Sequence, residues 1–179
     1  VPRLPPSLDD DAVAALVHPR VLVGGPHPGL GLPPDPRWRL VHRVPVLSAD
    51  RIVAEQDLHD DDWFNAVHFQ GDPCMPGTLM LEGCLQTVQT WLLAAGIRDR
   101  APHGRFEVGT SAAIRLRCRG QVAPGHRRLV YDAHIVASGP TWAEADVILS
   151  VLGPDGGPTA VVHAGGVTVR VVDTAGHPD

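Results

Sequence analysis

Residues able to do chemistry gather between positions 63 and 89, in WFNAVHFQGDPCMPGTLMLEGCLQTVQ. His68 is the residue type that titrates near neutrality and so suits proton transfer. Glu82 is flanked by Leu79, Met80, Leu81, Cys84 and Leu85, an apolar setting expected to disfavour its charged form and raise its pKa. Gln86 and Gln89 fall near the same helical stripe as Glu82, where an amide can orient a carboxyl group without competing for its proton. Gly71-Asp72-Pro73 and Met75-Pro76-Gly77 are two rigid turns that can aim His68 at the start of a helix. Free N–H groups at such a start can polarise a carbonyl. Taken singly these features are ordinary: a lone histidine is usually structural, and a glutamate in an early turn usually serves the helix dipole. Together they point to acid–base chemistry beside a polarised carbonyl.

The elements that must position these groups are legible in the pattern. Thr78 to Ala95 is the one long helix candidate, with Leu81, Cys84, Leu85, Val88, Trp91, Leu92 and Ala95 at three- and four-residue steps. Pro76-Gly77-Thr78 starts it and Gly96 stops it. Before it, Arg39–Leu47 and Arg51–Asp57 predict a hairpin around Ser48-Ala49-Asp50, and Asp60–Asn65 a helical turn. After it, three or four strands are expected, over Ala112–Val122, Arg127–Val136, Trp142–Leu152 and Thr159–Val171. Strands, one apolar helix and more strands make an α+β arrangement whose simplest packing wraps an antiparallel sheet around that helix.

Half of the 18 prolines lie in the first 36 residues. That stretch reads as an irregular Pro/Gly-rich arm or linker, loosely packed, with a short helix over Asp9–Val17. The domain proper is expected over 37–173, followed by a tail at 174–179. Beginning at Val1 rather than Met, the chain is expected to be a segment of a longer polypeptide.

Bulk properties exclude several classes. A length of 179 residues with 44% hydrophobic and 20% charged content describes an ordinary globular domain. The net charge of -5, with arginine as its only strong base, argues against a nucleic-acid binder. No apolar run approaches a membrane span, and no signal peptide is visible. Cys74, Cys84 and Cys118 lack metal-ligand spacing and read as free thiols in a reducing, cytoplasmic setting. His103, His126, His134 and His163 have no ligand spacing either, so no metal is expected. Arg115, Arg117 and Arg119 alternate with apolar residues; a solvated strand face is the favoured reading, a surface for an acidic carrier protein the other.

The run His68-Phe69-x-Gly71-Asp72-Pro73-x-Met75-Pro76-Gly77-x-Leu79-x-x-Glu82-x-x-x-Gln86 resembles the active-site signature of bacterial 3-hydroxyacyl-[acyl-carrier-protein] dehydratases. It is most similar to the dehydratase domains of polyunsaturated fatty acid and polyketide synthases. Arg119-Gly120-Gln121-Val122-x-Pro124 resembles a second motif of that family, and the likeness extends over about 38–171.

The resemblance implies a hot-dog fold and dehydration of (3R)-3-hydroxyacyl thioesters to trans-2-enoyl thioesters. The substrate would ride on the phosphopantetheine of an acyl carrier protein, with no other cofactor. It implies His68 as catalytic base or acid and Glu82 as its partner, contributed by the other hot-dog of a homodimer or tandem pair. Gly77 would bind the thioester carbonyl through its N–H, and Gln86 would neighbour the acid. Met80, Cys84 and Trp91 are expected to line the acyl tunnel, with Trp63 and Phe64 at its entrance. Glu rather than Asp at the acid position fits a simple dehydratase and not the isomerising branch. The alternatives are a hot-dog thioesterase and a non-catalytic hot-dog that completes a synthase pair.

Overall fold

The computed structural model describes residues 4–16, 30–109, 113–152 and 157–173. Its centre is the expected helix. Here α1 is Asp10–Leu16 and α2 is Gly77–Ala94, close to the expected Thr78–Ala95; a four-residue α3, Ile97–Arg100, follows. Gly96, at φ 78°, supplies the left-handed residue that ends α2. Twelve of the 18 residues of α2 are buried, because sheet and arm enclose it on nearly every side. Its buried threonines satisfy themselves: Thr87 Oγ1 donates to Gly83 O at 2.8 Å and Thr90 Oγ1 to Gln86 O at 2.7 Å.

Seven strands form one antiparallel sheet that curls around α2. They are β1 (Arg43–Leu47), β2 (Arg51–Asp57), β3 (Gly104–Val108), β4 (Arg115–Cys118), β5 (Arg128–Gly139), β6 (Trp142–Leu152) and β7 (Pro158–Asp173). The order is β1-β2-β5-β6-β7-β3, and β4 lies beside β7 on the same side as β3. Alternation sorts the faces: Ile52, Ala54, Leu129, Tyr131, Ala133, Val147, Leu149, Val162 and Ala164 turn inward and are buried.

The sequence missed β3, a short strand whose Arg105 and Glu107 hide its alternation, and α3. It also overextended β4. Beyond Cys118 the chain leaves the ladder: Arg119 and Gly120 both donate to Val161 O (2.7 and 3.2 Å), while Val122 O accepts from Met75 N at 2.7 Å. β1 starts after the expected Arg39 because the Leu40 N–H is taken by a side chain of α2. The expected helical turn appears as a 3-10 turn at Trp63–Ala66.

The arm is not loosely packed in its described parts. Leu8 and Val44 exchange hydrogen bonds of 2.7 and 2.8 Å, and Leu47 N donates to Pro6 O at 2.8 Å, so residues 6–8 cover the outer edge of β1. Val13, Leu30 and Leu32 enter the core, and Arg98 donates to Leu30 O and Leu16 O. Apolar residues among the prolines supply the burial that the composition concealed. Residues 17–29 and the expected tail at 174–179 lie outside the described residues.

The closest approach in the core is α2 on β5. A Cβ placed on Gly83 would overlap the Tyr131 hydroxyl and ring, and that hydroxyl is held by Gln56 Oε1 at 2.7 Å. Gly83→Ala is therefore expected to lower stability by roughly 1–3 kcal/mol through overpacking, read as a lower urea midpoint. Helix propensity alone would raise stability by about 1 kcal/mol, so the sign of the change separates the two effects.

Across β1, β2 and β5, Arg43 and Arg128 bracket Glu55 and Asp57. Hydrogen bonding from Arg43 holds the Asp57 carboxyl at about 2, below the usual 3.8. A carboxyl depressed on folding stabilises the protein above its unfolded pKa, and the contribution disappears as pH falls through 4 towards 2. Urea midpoints at pH 7 and pH 3 should differ less in Asp57→Asn than in the parent.

Candidate active site

The loop before α2 is folded as a small hairpin. Cys74 N donates to His68 O at 2.7 Å, and Phe69 and Asp72 exchange hydrogen bonds of 3.2 and 3.1 Å. Gly71 at the tip has φ 85°, a conformation open to glycine at little cost. Met75 N donates to Val122 O, which fastens the loop to the segment after β4. The sequence placed rigid turns here, and the structure shows what they hold.

They hold the His68 ring. Its Nδ1 lies 3.0 Å from Cys74 O. A carbonyl only accepts, so Nδ1 carries the proton, and in the neutral ring Nε2 is the free base. The Phe69 ring lies against the imidazole with centroids 3.9 Å apart. Phe69 is 59% exposed and Val67 68%, so the loop carries apolar side chains into solvent on both sides of the histidine.

Pro76 precedes α2 without a side-chain cap, and the first helical hydrogen bonds are donated by Leu79 and Met80 to Pro76 O. Among the described residues nothing accepts from the N–H groups of Gly77 and Thr78. Their partial positive charge faces outward at the start of an 18-residue helix. Cys118 Sγ stands 3.8 Å from where a Cβ on Gly77 would be. This exposed thiol beside Gly77 was not foreseen, since only the pairing of Cys118 with Val162 turns it to the helix side.

Glu82 sits on the second turn, half-buried, and Gln86 fixes it. The Gln86 amide is 0% exposed and fully used: Nε2 donates to Glu82 Oε1 (2.8 Å) and Trp38 O (2.7 Å), and Oε1 accepts from Leu40 N (2.8 Å). The expected alignment of Gln86 with Glu82 is thus present, while the anchor at 38–40 had no local signal, being nearly fifty residues away. No hydrogen bond or ion pair is recorded between His68 and Glu82 within this chain.

The expected lining residues are all core. Met80 and Cys84 are buried in the central cluster, and burial pushes the Cys84 thiol up to about 12, which excludes it as a nucleophile at neutral pH. Trp91 is buried too, its indole N–H donating to Ser48 O at 2.9 Å, about four turns from Gly77. Phe64 is in the core rather than at an entrance. Trp63 packs on Trp38 with ring centroids 5.1 Å apart and donates to Arg37 O at 3.3 Å. Tyr131, absent from the sequence reading, has its pKa raised by burial and keeps its proton. A small open cleft lies between the 3-10 turn and residues 122–126, lined by Phe64, Asn65, Val122 and His126 among others. Among the described residues no three His, Cys, Asp or Glu side chains gather to hold a metal, and no helix is long and apolar enough to cross a membrane.

Comparison with known families decides the lineage. The model of the FabA-like domain matches residues 32–153. The chain belongs to the FabA-like domain family. Its fold is likewise that of solved hot-dog proteins. It is similar to the dehydratase heterocomplex ApeI:P from Xenorhabdus doucetiae, with 16% identity over 80% of this chain and 89% of that one and a TM-score of 0.59. It is also similar to a thioesterase family protein from Silicibacter pomeroyi, with 13% identity over 73% and 84% of the two chains and a TM-score of 0.48. The family match begins at residue 32, within the stretch set aside as an arm, where Leu32 is already part of the core of this FabA-like domain.

The Gln86 clamp yields a direct expectation. Gln86→Leu leaves the buried Leu40 N–H without its partner, costing about 1–3 kcal/mol for that unsatisfied group. Denaturant titration should show the loss, and a variant as stable as the parent would mean that water replaces the amide.

Proposed function

We propose that this FabA-like domain removes water from (3R)-3-hydroxyacyl thioesters carried on an acyl carrier protein, as a cytoplasmic part of a fatty acid or polyketide synthase. The observation that carries this reading is a histidine with a free Nε2, on the loop that leads into a helix N-terminus at Gly77 whose N–H has no acceptor among the described residues. The amide-clamped carboxyl group of Glu82 lies further along the same helix. The match to the FabA-like domain supports it, as does the likeness to a protein described as a dehydratase complex.

The steps follow from the atoms. The Gly77 N–H binds the thioester oxygen and stabilises the negative charge that develops there as the C2–H bond breaks. His68 Nε2 takes the C2 proton. The C2 electron pair forms the C2–C3 double bond, and the C3–O bond breaks. Glu82, oriented by Gln86, gives its proton to the departing hydroxyl, which leaves as water. The resemblance to hot-dog dehydratases implies that each complete site takes its histidine from one hot-dog and its acid from a second. Cys118 and the edge of β4 flank the carbonyl.

Mass spectrometry of 3-hydroxyacyl thioesters incubated with the protein should show loss of water with the thioester intact. Release of free thiol would replace this reading with thioester hydrolysis. His68→Ala and Glu82→Gln, both folded, should each slow dehydration by a hundredfold or more, in the range of roughly 10²–10⁴ for lost acid–base groups. Near-parental turnover in either would remove that residue from the mechanism.

A further inference from the structure

The His68 loop has two ends, and they are held in different ways. At the far end Met75 N donates to Val122 O at 2.7 Å, and the bonds between His68 and Cys74 and between Phe69 and Asp72 keep the loop in one shape. A loop of fixed shape that is tied at one end can still pivot, and a pivot moves the histidine ring. The near end is the 3-10 turn Trp63–Ala66, whose Phe64 O accepts from the backbone N–H groups of Val67 and His68 at 3.2 and 2.9 Å. The placement of that turn therefore passes directly to the histidine.

Bonds from Asn65 Nδ2 to His59 O and Asp60 O shape the turn locally. Phe64 buries its ring in the core and sets the depth of the turn, and Trp63 fixes its direction. The Trp63 indole N–H donates to Arg37 O at 3.3 Å, and its ring packs on Trp38 with centroids 5.1 Å apart. Residues 37–40 are themselves gripped: Gln86 Nε2 donates to Trp38 O and Gln86 Oε1 accepts from Leu40 N, through the same buried amide that holds Glu82. Burial alone does not account for the stack, since Trp38 remains 45% exposed and Trp63 is only partly buried. An indole adds a directed N–H to its apolar face, so it sets an orientation where an aliphatic side chain would only fill space. We propose that Trp63 is a positioning residue that docks the start of the His68 loop on the segment gripped by Gln86, and so sets where His68 Nε2 stands against bound substrate. The effect on turnover rests on the dehydratase reading; the effect on the ring rests on geometry alone.

The test reads the ring and the turnover separately. Long-range proton–nitrogen NMR spectra of the parent, with the His68 signal assigned by its loss in His68→Gln, should show one tautomer with the proton on Nδ1. In Trp63→Ala both tautomers should appear, and kcat for dehydration should fall by roughly ten- to a hundred-fold, the scale of a misplacement of about an ångström, with KM nearly unchanged. Trp63→Phe keeps the stack and loses the N–H, so it should recover part of both. Val13→Ala, which removes core volume in the arm, is the control: it should lower stability and leave the tautomer as in the parent. A Trp63→Ala protein that behaves like this control, with parental tautomer and turnover, would overturn the proposal, as would a Trp63→Phe protein no better than Trp63→Ala. Should Trp63→Ala fail to fold, Trp38→Ala takes away the exposed half of the stack; mixed tautomers there support the docking role, and a single parental tautomer refutes it. Mixed tautomers in a protein that releases no water from 3-hydroxyacyl thioesters would leave this role standing and sink the dehydratase reading instead.

Discussion

The buried amide of Gln86 is the interaction on which the rest of this arrangement depends. A side-chain amide with no exposure must have its donors and acceptor met, or the fold loses free energy for every group left dry. Here the partners come from two places, the backbone at Trp38 and Leu40 and the carboxyl group of Glu82. Satisfying one buried group thereby ties the chain's entry into the sheet to the central helix and holds the acid in place. The same amide that stabilises the core also fixes the direction of the Glu82 carboxyl group.

Around that point the sheet closes on α2 with little slack. Gly83 lets Tyr131 reach the helix backbone, and Tyr131 in turn satisfies Gln56. The helix is held too closely to shift, so the distance from its N-terminus at Gly77 to Glu82 is fixed by helical rise alone. The loop carrying His68 is fastened separately, through Val122 and its own hairpin bonds. The geometry of the candidate site is thus a property of the scaffold, with rigid elements presenting groups whose own hydrogen bonds lock their orientation. The fully buried Cys84 is kept inert by the same packing.

The His68 loop and Glu82 are each anchored, and no bond joins them. The arm covers one sheet edge, and among the described residues no strand lies beyond the other. A sheet can be continued across an edge without disturbing either core, so a second hot-dog can be added while every anchor stays in place.

The sequence by itself determined the local parts. Helix periodicity located α2 to within a residue at each end, a hairpin around Ser48-Ala49-Asp50 located β2, and Val/Ile/Leu-rich runs between turns located β5, β6 and β7. The Gly-Asp-Pro and Met-Pro-Gly turns marked the loop that presents His68. These were legible because each depends on neighbours a few residues apart. What only the tertiary structure decided depends on distant partners: that Gln86 is anchored at residues 38–40, that Gly83 faces Tyr131, and that Cys118 lies beside Gly77. It also decided that Val13, Leu30 and Leu32 of the arm join the core and that β3 is a strand at all. β3 owes its existence to pairing with β7, more than sixty residues on, since five residues with two charges have too little intrinsic preference to form a strand alone.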